Sequence, residues 1–334
     1  MKFVLAGYFG FGKFGDEAIL KYAVDILRYY YKEAQISVIS QNPDKIAEEY
    51  KLKSIHRFDL KEIIFEIKNC DCLIFPGGSI LQDVTSIKSI LYYLTIIGLG
   101  IFFKKEVIML SQGIGPIKNS LAQNITKKLL KKISFISVRD EKSYKILKQY
   151  DISSELTADL LWAFTQKTDS SEKEETIIYG DVPCATEKQK VGLQLRSWAD
   201  LTEEKLQIIA NNILKLFPKL EFDYKLICLQ ESSDKELLIK LGMIMHEMQP
   251  EARVELLIPN TIDETIENLQ SMDYMIAMRF HAGLCTINAE KPLLMISYDP
   301  KRLARNGCPR ILLRLLRQHL HPTQLWHRIS QIIA

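Results

Sequence analysis

Short apolar, β-branched runs alternate with longer amphipathic segments along most of this chain, and that rhythm leaves few folds open. In the first half, strands read at 2–7, 35–40, 71–75, 106–111 and 134–138. Helices read at 16–31, 43–50, 59–69, 86–103, 120–132 and 141–149. Strand–helix alternation of this kind points to a mostly parallel sheet with helices on both faces. A polar stretch rich in Lys, Glu, Ser and Thr then runs from Gln166 to Gln189. The alternation resumes beyond it, with strands at 191–196, 223–229, 253–258, 273–278 and 293–298, and helices at 202–216, 233–247, 263–271 and 281–290. At 334 residues the chain is long for one core, and two domains of roughly 150 residues are expected. The expected fold is therefore α/β, with two Rossmann-like domains facing across a cleft in a GT-B-like arrangement. The expected division is 1–165 for the first domain, 166–189 for a linker or surface insertion, 190–300 for the second domain, and 301–334 for a basic tail.

Composition narrows the classes. Hydrophobic content of 47% and charged content of 25% fit an ordinary globular protein. A net charge of +3 gives no general pull toward nucleic acid. The chain opens at once on strand-like Lys2-Phe3-Val4-Leu5, so a secretory signal is not expected and a cytoplasmic protein is. The longest uncharged run, Ser89 to Phe103, has 15 residues, short of the ~20 that cross a bilayer. It reads as a buried helix, with peripheral contact with the inner membrane surface left open. The cysteines (70, 72, 184, 228, 285 and 308) form no C-x-x-C pair and no zinc spacing. They read as reduced core residues, and no metal is expected. Residues 301–334 hold six arginines, one lysine and no acid. They read as a basic helix, although so abrupt a change in composition also matches a shifted reading frame.

The residues with chemistry gather at the ends of strands. Met278-Arg279-Phe280-His281 joins an apolar strand to a helix of small residues. Open α/β sheets bind ligands at strand carboxyl ends, and helix amino ends favour anions. Arg279 can clamp phosphate or carboxylate there, and His281 can move a proton near neutral pH. The structural alternative is a salt bridge for Arg279 and a hydrogen-bonded helix start for His281. Lys301, after the next strand, would stand on the same wall.

Gly10-Phe11-Gly12-Lys13-Phe14-Gly15 matches G-x-G-x-x-G. The second strand lacks the acid that would hold a ribose, and Asp16 would oppose a pyrophosphate, so a dinucleotide is disfavoured. Instead Gly12 would let the backbone pass close to a ligand. Asp16 would orient or deprotonate a sugar hydroxyl, or else cap the helix. Gly77-Gly78-Ser79 with Gln82, then Gln112-Gly113, and then Arg139 follow further strands. Together they would line one polar rim, with Arg139 as an anion clamp or as the partner of Asp140 or Glu141. Arg196 and Gln230, at strand ends of the second domain, would line the opposite wall.

Six segments together resemble the polysaccharide pyruvyl transferase family, most of all its branch acting on a secondary cell-wall polymer. They are Gly7-Tyr8-Phe9-Gly10 with Gly15-Asp16-Glu17-Ala18, Phe75 to Asp83, Gln112 to Pro116, Val138-Arg139-Asp140, Met278 to Ala282, and Ile296 to Lys301. The order and spacing cover residues 1 to about 301. The resemblance implies phosphoenolpyruvate as co-substrate, no cofactor, and a saccharide or lipid-linked saccharide as acceptor. It implies a cyclic ketal as product, with phosphate released. On this reading the first domain is the acceptor side and the second the donor side. His281 is the proton donor, and Asp16 handles the acceptor hydroxyl. Arg279, Arg139 and Lys301 bind the donor. Gly12, Gly77, Gly78, Ser79, Gln82, Gln112, Gly113, Arg196 and Gln230 line the acceptor site or the cleft. The rival reading is a GT-B nucleotide-sugar glycosyltransferase.

Overall fold

A computed structural model of the chain describes residues 1–84, 86–163, 175–179, 188–198, 201–218, 221–296 and 312–314. The chain divides into two compact units, Met1–Phe164 and Thr165–Ala334.

In the first unit the elements run β1 (Lys2–Ala6), α1 (Phe14–Tyr30), β2 (Gln35–Ser40), α2 (Pro43–Tyr50), β3 (Lys53–His56), α3 (Leu60–Asn69), β4 (Cys72–Phe75) and β5 (Gly78–Leu81). Then come α4 (Ile87–Phe102), β6 (Glu106–Ile114), α5 (Ser120–Leu130), β7 (Phe135–Val138), α6 (Glu141–Gln149) and β8 (Glu155–Leu156). A single 3-10 turn, Leu160–Ala163, follows. The sheet order is β3-β2-β1-β4-β6-β7-β8, with β5 alongside β6, and every pairing is parallel. The strand order reverses between β1 and β4. In doubly wound sheets that reversal opens the crevice where ligands bind.

The local reasons for these elements are plain. In β4 all four residues, Cys72 to Phe75, are buried, as a strand covered on both faces must be. Helix starts carry their caps: Asn42, Asp59, Asn119 and Asp140 each accept a backbone N–H of the following turn. Ile63, Ile67, Ile90, Tyr93, Ile97 and Leu130 of α3, α4 and α5 join Val4, Leu73, Phe75 and Met109 of the sheet in one core.

The second unit runs β9 (Glu175–Tyr179), β10 (Gln189–Gln194), α7 (Glu203–Leu216), β11 (Phe222–Ile227), α8 (Glu231–Met248) and β12 (Val254–Ile258). It continues with α9 (Ile262–Gln270), β13 (Tyr274–Ala277), α10 (Phe280–Asn288), β14 (Leu293–Met295) and β15 (Leu312–Arg314). The order is β15-β14-β13-β10-β11-β12-β9, with only the edge strands β9 and β15 antiparallel. Here the parallel order reverses between β10 and β13. Each unit is thus a Rossmann-like domain. The polar stretch read as a linker carries β9, which pairs with β12 from Tyr179↔Val254 to Glu175↔Ile258. Of the basic tail, only the three residues of β15 lie among the described residues.

Candidate active site

In the first unit the loop after β1 is built around one side chain. Glu17, in the first turn of α1, accepts the N–H groups of Gly10, Phe11 and Gly12 at 2.9, 3.0 and 3.1 Å. In a dinucleotide site, amides of this loop face a pyrophosphate. Here a carboxylate of the chain itself holds them, which agrees with the sequence argument against a dinucleotide and gives it a stronger reason. The same loop is held from outside. Tyr93 donates its hydroxyl to the Gly7 carbonyl at 3.1 Å, and Tyr8 stacks on Phe11 with centroids 3.8 Å apart.

Burial, the largest influence, pushes the Glu17 carboxyl up from 4.5 to about 7, against the lowering pull of the Gly12 and Gly10 amides. Its Oε2 is buried without a hydrogen-bond partner among the described residues. The folded chain therefore holds this proton more tightly than the unfolded one. The stabilisation is complete below about pH 4.5 and is lost as pH rises through about 7. Glu17→Gln copies the protonated form and keeps an acceptor for the amides. We expect it to flatten the pH dependence and to be more stable than the parent at pH 8, by on the order of 2 kcal/mol. Urea melts of both proteins from pH 5 to pH 8 check this. A stability difference that does not change with pH would contradict it.

Asp16, beside Glu17, lies over the turn after β4. A Cβ on Gly78 would stand 3.5 Å from Asp16 Oδ1. Gly77 and Gly78 have φ of 154° and 88°, values that favour glycine. Ser79, next in line, is exposed and accepts from Arg139 Nη2 at 2.8 Å. Gly113 lies under both: a Cβ there would overlap Ser79 Oγ and come within 3.3 Å of the Arg139 guanidinium. Asp16, Gly77, Gly78, Ser79, Gly113 and Arg139 therefore gather at the carboxyl ends of β1, β4, β6 and β7.

The structure shows what these side chains already hold, and it corrects the expectation for Gln112. Arg139 Nη1 is bound to buried Asp159 at 2.7 Å, not to its chain neighbours. Asp140 caps α6 and Glu141 pairs with Lys145. An anion at Arg139 thus meets a guanidinium whose charge is largely offset. Gln112 does not line an open surface. Its side chain is fully buried and donates to the carbonyls of Phe75 and Leu110 at 2.9 and 3.1 Å, tying β4 to β6. Gln82 accepts the Val84 amide of its own turn at 2.7 Å. Gly12 is exposed, and its amide is committed to Glu17.

In the second unit Arg279 follows β13 as the residue before α10. Its backbone N–H donates to Gln194 Oε1, at the end of the adjacent strand β10, at 2.8 Å. Its guanidinium grips Asp234 on α8 through Nε at 2.9 Å and Nη2 at 2.6 Å. Nη2 also reaches Ser233 Oγ and Gln230 Oε1. Asp234 is 0% exposed and the Arg279 side chain 16%. Nη1 has no hydrogen-bond partner among the described residues. The arginine is thus both a salt bridge and an oriented donor, with one face held and one nitrogen left over. Gln230 serves as one of its holders. Asp234, Ser233 and Gln194 were not singled out from the sequence. An acid in the first turn of a helix reads as a dipole partner, and nothing local says that it is buried.

His281 sits in the first turn of α10, half-buried, its ring edge-on to Phe280 at 5.3 Å. Arg196 lies two residues beyond Gln194, half-buried at the end of β10. Lys301 lies outside the described residues. Cys70, Cys72, Cys228 and Cys285 are buried free thiols; Cys184 and Cys308 lie outside the described residues. Among the described residues no group of three or more His, Cys, Asp or Glu could hold a metal ion.

A family model described as polysaccharide pyruvyl transferase matches residues 14–300. A search of curated proteins finds no match. Among solved structures, a Listeria monocytogenes protein assigned as a UDP-N-acetylglucosamine 2-epimerase superposes with a TM-score of 0.61 at 10% identity, over 91% of this chain and 81% of that one. MnaA of S. aureus, solved with UDP, gives 0.58 at 10% identity, over 100% and 88%. A glycosyltransferase from Rickettsia africae gives 0.53 at 10% identity, over 91% and 82%. At such identities these likenesses speak to the fold alone, and they agree with two Rossmann-like domains of the GT-B type.

Proposed function

This chain belongs to the polysaccharide pyruvyl transferase family, and from that premise we propose that it moves the pyruvyl group of phosphoenolpyruvate onto two hydroxyls of a saccharide in a cell-wall polymer precursor. The observation that carries the reading is Arg279, locked by buried Asp234 so that Nη1 remains for an anion beside the first turn of α10. A small donor with a phosphate and a carboxylate needs such a group. The amides at the start of α10 add to the pull on an anion.

The steps balance as follows. The methylene carbon of the donor takes a proton from His281 and becomes a methyl group, while the neighbouring carbon becomes electrophilic. One acceptor hydroxyl adds to that carbon, assisted by Asp16, and gives up its proton. The C–O bond to phosphate breaks, with Arg279 bearing the departing charge. The second hydroxyl then closes the ring. Of the two hydroxyl protons, one restores His281 and the other leaves on phosphate. Arg139 and Lys301 are assigned to the donor as well. Arg139, paired with Asp159, and Arg279, paired with Asp234, each bring a guanidinium already matched by a buried carboxylate, so each would act on the donor through directed N–H groups rather than through net charge. Ser79 and Arg196 are assigned to the acceptor, which is a free or lipid-linked saccharide, and the protein is assigned to the cytoplasm.

Thermal shift separates this from nucleotide-sugar transfer. Phosphoenolpyruvate at about 100 times its Kd adds ~2.7 kcal/mol of apparent stability, and Arg279→Ala abolishes the gain. A shift with UDP-sugars and none with phosphoenolpyruvate would favour the glycosyltransferase reading.

A further inference from the structure

Beyond Lys88 in its first turn, helix α4 carries no charge on any side, which ordinarily marks a buried helix. Ile90, Tyr93, Leu94, Ile97 and Gly100 do face the core. The opposite stripe, Ile87, Leu91, Thr95, Gly98 and Phe102, contains no charge, and Ile87, Thr95 and Phe102 are exposed, Phe102 to 76%. The neighbouring helices extend the surface. α3 and α5 both pack against α4, and they leave Leu60 and Ile64 on one side and Leu121 on the other open to solvent.

The surface is basic along α4 and α5 and of mixed sign along α3, where Asp59, Glu62 and Glu66 accompany Lys61 and Lys68. Between residues 84 and 132 the chain carries eight lysines (88, 104, 105, 118, 127, 128, 131 and 132), against Glu106 as its one acid. Six of the eight are exposed: Lys88, Lys104, Lys118, Lys128, Lys131 and Lys132. Lys131 pairs with Asp151 from outside this range.

We infer that the outward face of α3, α4 and α5 docks on an anionic lipid surface, with Phe102 and Leu121 entering the headgroup layer and the lysines facing lipid phosphates. Apolar anchors on α4 and α5, the two helices whose flanks are lysine-rich, suit that boundary. No described helix is long and apolar enough to cross a membrane, so this is contact in the plane of the interface. Two other occupants fit the charge poorly. A second copy on a two-fold axis would set the same lysine-rich face against itself. The tail from Lys301 onward holds six arginines and no acid, and would be repelled.

The test uses the full chain and vesicles of phosphatidylcholine, with or without phosphatidylglycerol, in a flotation assay. The protein should float with the anionic vesicles, be released by salt, and stay behind with neutral ones. Phe102→Ser combined with Leu121→Ser should weaken partitioning by at least about tenfold, as should Lys118→Glu combined with Lys128→Glu. Both pairs change exposed side chains, and an unaltered melt confirms that the fold is kept. Unchanged flotation of both variants would overturn the inference and assign the binding to the arginine-rich tail. Equal binding to neutral vesicles would also overturn it, as would no binding. So would a dimer in light scattering that the apolar pair converts to monomer without any vesicle binding.

Discussion

Replacing His281 by alanine is expected to lower turnover by about 10²–10⁴-fold and to leave the fold intact. Protonating carbon is the difficult part of the proposed reaction, and it needs a group that carries a proton near neutral pH. Among the described residues at this strand end, the imidazole is the side chain suited to that task. Alanine is a good helix former, so α10 should persist and the melting temperature should stay within about 2 °C. The KM for phosphoenolpyruvate should change little, because anion contact is assigned to Arg279. Steady-state kinetics of the variant check both parts. Near-normal turnover would remove His281 as the acid. A raised KM with unchanged kcat would make it a binding group instead.

Replacing Asp234 by alanine is expected to act on both stability and donor binding. Asp234 is fully buried, and it is the carboxylate that holds Nε and Nη2 of Arg279. Removing one member of a buried pair strands the other and costs about 3–5 kcal/mol. For a unit of this size that corresponds to a fall of roughly 6–20 °C in its melting transition. Asp234 positions a donor-binding group and is assigned no contact with substrate. Its loss should therefore raise the KM for phosphoenolpyruvate by more than it lowers kcat, and Asp234→Glu should restore part of that affinity. Calorimetry and kinetics at several donor concentrations read these effects. A melt equal to the parent's, with an unchanged KM, would show that Arg279 is oriented by other groups.

The fold was legible wherever the residue pattern changes sharply at an element's ends. The runs at 35–40 and 141–149 lie where the strand and helix were read, because Gln35 and Asp140 mark sharp changes of pattern. Strand β3, Lys53–His56, bears no strand pattern of its own, with charge, hydroxyl and imidazole around the single apolar Ile55; it is recruited by pairing with β2. Strand β9 carries the apolar patch Ile177-Ile178-Tyr179, too short inside a polar stretch to mark a strand by itself, and it is recruited as the antiparallel edge partner of β12. The strand-end motifs placed Arg279 and His281 on one turn, and the structure holds them there. Sequence could not reveal what each charged group already holds. Glu17 occupies the loop amides, Asp159 takes Arg139, and Asp234 takes Arg279. These pairs are separated by up to 45 residues in the chain, and only folding brings them together. Gln112 shows the same limit: its place at a strand end suggested a rim, whereas its side chain is spent inside the sheet.

The central claim is that this chain transfers pyruvate from phosphoenolpyruvate to a saccharide diol. Its most direct test is phosphate release from phosphoenolpyruvate in the presence of saccharide or glycolipid acceptors, with mass spectrometry of the product. The account predicts phosphate release that depends on acceptor, and an acceptor heavier by one pyruvate less one water. Acceptor-dependent release of a nucleoside diphosphate from UDP-sugars, with phosphoenolpyruvate left untouched, would contradict it.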